Sequence, residues 1–310
     1  MNLQEQLRAT LITHGVTPEP DPLIELPPPP AVGIHQNVPF ETYSRWPAIR
    51  HSVLEQYGRS AAHGKWAETH GFKDSAAKDR GSAAHVAILE PDLFSKVFIC
   101  APEIGDKRFK ANKEAWEDFQ RENADKEILT KPEWDRVIGM RDAVYSHPTA
   151  SALLSAPGLS EVSVVWEDRE YTLNGKPVLC KARLDRPTTL NGYSVILDLK
   201  TSRDARPRAM AGSIYSYGYH RQAAWYLAAA NSIQAKDRKF LQLVVESEGP
   251  FAVAVYEIEG PALEIGHHET RRNLARYVEA MESGVFPAYD DGIGLIGLPA
   301  WAMQFHGEEA

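Results

Sequence analysis

Cysteine is scarce in this chain: 310 residues carry two, Cys100 and Cys180. They form no CxxC pair, which excludes a cysteine zinc site, and an iron–sulfur cluster normally takes four thiolates. Two free thiols in a reducing compartment is the plain reading. Long apolar runs are missing too, since none approaches the ~20 residues of a membrane span. The opening stretch MNLQEQLRATLITHG lacks the basic-then-apolar layout of a secretory leader. A cytoplasmic protein with no membrane partner is expected. Net positive charge is also lacking, at −8. That total argues against indiscriminate nucleic-acid affinity but leaves room for a basic groove beside an acidic centre. Local basic clusters do occur, at Lys107, Arg108, Lys110 and Lys113, and again at Arg203, Arg206 and Arg208. Taken alone, each reads equally well as a solvated surface.

What is present is ordinary for a globular protein: 43% hydrophobic and 25% charged residues. Residues 17–33, TPEPDPLIELPPPPAVG, are too proline-rich for regular structure, so residues 1–33 read as a poorly ordered tail. Residues 34–310 read as a single domain, mainly helical over 34–157 and α/β over 158–310. The helical part includes Gly81–Glu90, rich in small residues and stopped by Pro91, a charged helix over 107–123, and another from Glu133 to Leu154 that can break at Pro148. Beyond Gly158 come β-rich runs at Val162–Trp166, Tyr171–Leu173, Val178–Leu184 and Tyr193–Leu199, with turn signals at Asn174-Gly175 and Asn191-Gly192. A helix over Ser213–Asn231, strands at Phe240–Glu246 and Phe251–Ile258, and a long helix over Leu263–Ser283 complete the pattern. The order predicts an α/β fold with a twisted sheet and a helical N-terminal layer.

The chemistry concentrates at the end of Val195-Ile-Leu-Asp198-Leu-Lys200. Alternation along a strand puts Asp198 and Lys200 on one face, where charge at a buried strand end is costly without a purpose. The preceding strand also ends in an acid, Asp185, and the short turn between the two lets Asp185 lie beside Asp198. Two carboxylates and a lysine make a site for a hard cation, magnesium with manganese as the alternative. Such an ion polarises a phosphodiester and acidifies water, and a lysine can orient or deprotonate that water. A surface salt bridge is the bland alternative for Asp198 and Lys200. His85 on its small-residue helix, Glu161 at the first strand, and Gln222 with Tyr226 four apart on one helix face are further candidates. Each taken singly reads as a satisfied core histidine, a solvated strand end or a polar stripe.

In order, Gly81-Ser-Ala-Ala-His85, Ile88–Phe94, Glu161 with Trp166, Lys181–Asp185, Asp198–Thr201, Tyr219–Gln222 and Tyr226 resemble the nuclease domain of RecE (exonuclease VIII). That domain belongs to the RecB-like and lambda-exonuclease-like part of the PD-(D/E)xK superfamily. The resemblance implies a restriction-endonuclease-like core, a central mixed β-sheet flanked by helices. It implies His85, Asp185, Asp198 and the Leu199 carbonyl as metal ligands, and Lys200 as activator of the attacking water. Gln222 and Tyr226 match the QxxxY element, and Glu161 would assist a second ion. Arg203, Arg206, Arg208, Lys107, Arg108 and Lys110 are the expected DNA contacts. The implied activity is magnesium-dependent 5′ to 3′ digestion of double-stranded DNA ends, leaving 3′ single strands for a RecT-like annealing partner in phage-type recombination. The implied assembly is a homo-oligomeric ring, tetrameric in the RecE branch. Leu184 stands where the nominal motif has proline, and no four-cysteine cluster element is present. An endonuclease or single-strand nuclease on the same fold, and a DNA-end-binding protein without activity, remain the alternatives.

Overall fold

The computed structural model of the chain describes residues 28, 30–72, 76–106, 108–289, 293 and 295–298, with backbone alone for 76–80. Most of the expected tail, Lys107 and everything from residue 299 lie outside the described residues. Regular structure starts inside the expected tail, because Gly33 of β1 (Gly33–His35) already pairs with Val165.

The helical layer contains α1 (Phe40–Arg45), α2 (His51–Arg59), α3 (Ala61–His70), α4 (Ala76–Leu89) and α5 (Pro91–Val97). The two-residue strand β2 (Ile49–Arg50) lies just before α2. Short parallel strands β3 (Phe98–Cys100) and β4 (Glu127–Leu129) flank α6 (Lys110–Glu122). The helix expected over 107–123 therefore begins at Lys110. Next comes α7 (Lys131–Ser146), opened by a reciprocal capping box between Thr130 and Glu133. It ends at His147, and Pro148 starts α8 (Pro148–Ser155).

Strands β5 (Val162–Leu173) and β6 (Lys176–Leu184) form an antiparallel hairpin turned at Asn174-Gly175. The chain bends at Asp185 and continues as β7 (Arg186–Leu190), which pairs antiparallel with β8 (Tyr193–Ser202) across Asn191-Gly192. Both turns have positive φ at each central residue, the geometry that matches strand twist. A parallel partner for β8 requires a crossover. Helices α9 (Pro207–Ser216) and α10 (Tyr219–Ile233) supply it and deliver β9 (Arg238–Glu246) alongside β8. Strand β10 (Val253–Glu257) and helix α11 (Gly260–Ser283) follow. The single helix expected over 213–231 is thus two helices. Gly218 between them sits at φ +69°, and a Cβ there would come 2.4 Å from the Arg221 side chain.

The single central sheet expected from the sequence is instead two mixed four-stranded sheets, ordered β1-β5-β6-β2 and β10-β9-β8-β7. They meet where β6 passes into β7, at Asp185. Each sheet face has its own core. Tyr57, Trp166, Cys180, Ala223, Trp225 and Leu274 belong to the core between the first sheet and α2, α10 and α11. Ala83, Ile88, Met140, Leu197, Leu199 and Leu243 belong to the core between the second sheet and α4 and α7. Strand β8 serves both: Val195, Leu197 and Leu199 enter the second core, whereas Ile196 enters the first. Asp198 and Lys200 are in phase with Ile196 and lie on its face of the sheet. Burying each of the three opposite side chains stabilises the fold by roughly 1.5–3 kcal/mol, so the apolar phase fixes which face carries the charges.

Candidate metal centre

Every element that meets at the sheet junction contributes a polar group. Asp185 marks the bend between β6 and β7, and its Oδ2 accepts from the Leu199 N–H at 2.8 Å. The neighbouring strand places Asp198, fully buried, with Oδ2 2.6 Å from Lys200 Nζ. Its Oδ1 has no hydrogen-bond partner among the described residues. Burial and the nearby Asp198 charge push the Asp185 carboxyl up to about 7. Burial alone would lower Lys200, but Asp198 and Asp185 outweigh it and raise the amine, which also lies 4.9 Å from the centre of the Tyr219 ring.

Helix α4 brings His85 to the same point, packed down by Ala83, Ala84 and Ala87. Its Nε2 is 3.0 Å from the Leu199 carbonyl oxygen. A carbonyl only accepts, so Nε2 donates, and Nδ1 faces Glu161 Oε1 at 4.0 Å and Asp185 Oδ2 at 3.9 Å. A lone pair directed at two carboxylates is tolerated only with a proton or a cation between them. Burial lowers the His85 imidazole, but Glu161 and Asp185 outweigh it and raise it.

Glu161 adopts φ +53°, a region non-glycine residues seldom occupy, just before β5 begins. Its N–H donates to the Asp185 carbonyl at 2.8 Å, and Arg183 Nε donates to its Oε2 at 2.6 Å. These contacts hold the carboxylate toward His85. Burial works to raise the Glu161 pKa, but His85 and Arg183 outweigh it and lower it.

The ligand atoms of His85, Glu161 and Asp185 lie within 4.8 Å of one another. His85 Nδ1 is 4.0 Å from Glu161 Oε1 and 3.9 Å from Asp185 Oδ2, within the roughly 4.2 Å that two bonds of about 2.1 Å span, so two hard carboxylates and one softer imidazole can reach a small divalent ion. The unpartnered Oδ1 of Asp198 points to the same need. Asp198, engaged with Lys200, stands outside this trio, which gathers His85, Glu161 and Asp185. Gln222 and Tyr226 stand one turn apart on α10, and burial pushes the Tyr226 phenol well above its ordinary value. Both line a cavity of about 590 Å³ together with His85, Glu161 and Asp185. A second cavity of about 890 Å³ opens on the Lys200 side, and Gly81 and Thr201 border both. A Cβ on Gly81 would meet only Thr201 Oγ1, at 3.8 Å, so this glycine packs against no other backbone.

The basic residues separate. Arg203 borders the larger cavity, and neither it nor Arg208 makes an ion pair among the described residues. Arg206 is tied to Asp204 at 2.6 Å. Arg108, Lys110 and Lys113 pair with Asp106, Glu114 and Glu117 and border neither cavity. Three nearby residues went unread in the sequence. Arg183 was legible, two residues before Asp185 and so in phase with it. Gln242 was the one polar residue in the apolar run Phe240–Val245; it is completely buried in register with Asp198, with neither amide atom hydrogen-bonded. Tyr219, under Lys200, opens the Tyr219–Gln222 motif, but that motif gave it no role of its own.

Among the described residues no helix is long and apolar enough to cross a membrane. No curated protein matches the chain. An exonuclease candidate from Eubacterium rectale, solved at 2.19 Å, superposes over 84% of this chain and 93% of its own, with a TM-score of 0.52 at 12% identity. The structure of SSO0001 aligns over 66% of this chain and 88% of its own at 17% identity, with a TM-score of 0.29. The first likeness establishes a shared fold. A family model matches residues 51–296, a span containing every residue of the junction, and the chain belongs to that family, the PDDEXK-like domains of unknown function (DUF3799).

Proposed function

We propose that this chain is a divalent-metal-dependent DNA nuclease, and within that class a 5′ to 3′ exonuclease that degrades one strand of a double-stranded end. The gathering of His85, Glu161 and Asp185 beside a buried Asp198–Lys200 pair carries this reading. The fold shared with an exonuclease candidate supports it.

His85 Nδ1, Glu161 and Asp185 would hold a magnesium or manganese ion, with Asp198 completing the acidic wall; the Leu199 carbonyl, expected among the ligands, instead accepts from His85 Nε2 on the far side of the ring. Such an ion supplies Lewis acidity toward a phosphodiester and charge compensation as the bond breaks. The chain's own groups do the rest. Lys200 Nζ carries its proton and donates to an oxygen placed between it and the acids. Asp185 and Asp198 hold that proton on the amine; positive charge engaging them leaves burial to favour the neutral form, which accepts a proton from water. Arg183 keeps Glu161 aimed, and the Leu199 N–H keeps Asp185 aimed. Gln222 and Tyr226 offer donors to a phosphate entering the smaller cavity, and Arg203 and Arg208 meet the backbone beyond Lys200. Delivery of 3′ strands to a RecT-like annealing protein, and a ring of identical subunits, belong to the same proposal.

The test uses magnesium and two DNAs of identical sequence, one linear and one covalently closed, with Asp198→Asn as control. Loss of the linear form alone is expected. Cutting of the closed circle would make the protein an endonuclease, and cutting of neither would leave a DNA-binding protein.

A further inference from the structure

The larger cavity contains a feature that hydrolysis as described does not use. Tyr217 stands at the α9–α10 break with 68% of its surface exposed; its backbone N–H donates to the Ser213 carbonyl, and among the described residues its phenol makes no hydrogen bond. Its one ring contact is Tyr219, at 5.7 Å between centroids and 38° between planes. Tyr219 in turn lies beneath Lys200 Nζ. The two rings therefore make a step leading directly away from the catalytic lysine. Gly218 fixes that step, because its left-handed backbone ends α9 and its lack of a Cβ lets Arg221 and Glu55 close in behind.

An exposed tyrosine held by rigid backbone contributes little to folding, yet presents a large flat face at low entropic cost. The charges around it suit a polyanion. The acids on the same wall are already engaged: Glu133 caps α7, Asp204 holds Arg206, and Glu248 holds Arg136. Arg203 is the cation left unpaired facing the space, with Lys200, held by Asp198, at its inner end. Unpaired nucleobases recognise this combination, because every base has a π-face to stack while its phosphates meet the cations. Paired bases of an intact duplex offer no such face except at the terminal pair.

We propose that Tyr217, supported by Tyr219, is a stacking platform for unpaired bases of the DNA strand whose phosphodiester lies at the junction. The site thereby selects single-stranded or frayed termini over intact duplex. This rests on the nuclease reading for the identity of the polymer.

The experiment measures binding separately from cleavage. Full-length Asp198→Asn protein is titrated with a fluorescent single-stranded oligonucleotide and with a blunt duplex, with and without Tyr217→Ala. The single strand is expected to bind wild-type Tyr217 protein more tightly than the duplex does. Tyr217→Ala should weaken single-strand binding about tenfold, and Tyr217→Trp should restore it. An oligonucleotide with abasic positions should show the same loss on the parent protein and no further loss on Tyr217→Ala. Single-strand affinity within twofold of the parent, or indifference to abasic positions, overturns the platform. Failure of the protein with Asp198 intact to cleave any DNA, while the stacking losses persist, would overturn the nuclease reading and leave the platform standing.

Discussion

Replacing Asp185 with asparagine should make the metal-free protein more stable while abolishing its activity. Asp185 is buried against Asp198, and its carboxyl titrates near 7 instead of the ordinary ~3.9. The folded state therefore holds its proton more tightly than the unfolded chain does. Stability from this group is complete below about pH 4, and is lost as pH rises through about 7. Above that the folded protein carries an ionised acid at a cost of up to ~4 kcal/mol. Asparagine removes the charge, and its oxygen can still accept from the Leu199 N–H. Part of the gain is forfeited because His85 loses a partner, so a net gain of roughly 1–3 kcal/mol is expected at pH 8, several degrees in Tm. The assay is thermal unfolding in chelator at pH 4.5 and pH 8, then with millimolar magnesium. The variant's advantage should be small at pH 4.5 and large at pH 8. Magnesium should raise the parent's Tm and leave the variant nearly unmoved. A variant less stable than the parent at pH 8 without metal, or an equal magnesium shift in both, would refute the claim that this cluster is strained for want of a cation.

Lys200→Ala should lower cleavage by at least a hundredfold while DNA binding stays within a few-fold, since general acid–base contributions are about 10²–10⁴; parallel loss of binding would make the lysine a docking group. Arg203→Ala with Arg208→Ala should reduce the slope of log affinity against log salt by about 0.9 for each phosphate no longer neutralised, whereas Lys110→Ala leaves it unchanged. Arg271→Ala strands the buried Asp168, whose only charge partner on α11 it removes, and should cost about 3–5 kcal/mol in urea denaturation at pH 7. Burial acts to raise Asp168, but Arg271 and two backbone N–H groups outweigh it and hold it below its ordinary value. That stability is present above about pH 4 and disappears as pH falls through the depressed value, and the variant should lack this acid-side loss.

Much of this was written locally in the chain. Asn174-Gly175 and Asn191-Gly192 specify their hairpins because few other residues accept two successive positive φ values. Pro91 and Pro148 end or start helices by removing a donor. The alternation Val195, Leu197, Leu199 against Ile196, Asp198, Lys200 assigns each residue of β8 to a face before any partner is known. It therefore identifies the acid and the lysine as neighbours. The helix break at Gly218 was not legible, because the signal is a close approach by Glu55 and Arg221, and the first of these is far away in sequence. The bend at Asp185 that divides one expected sheet into two was hidden for a similar reason. Arg186–Leu190 read as part of the short turn after Asp185, whereas it is strand β7, and only the different partners of β6 and β7, β5 and β8, separate the two sheets.

The sequence by itself determined the turns, the strand faces and the Asp198–Lys200 pair, since these depend on backbone preference and period-two geometry over a few residues. Tertiary structure alone decided that His85 and Glu161 close on Asp185. It also decided that Arg183 braces Glu161 and that Tyr217 overlooks the lysine. Those contacts join α4, β5, β8 and the α9–α10 break across separations of twenty to more than a hundred residues. Their energies depend on distance and burial, neither of which a linear pattern records.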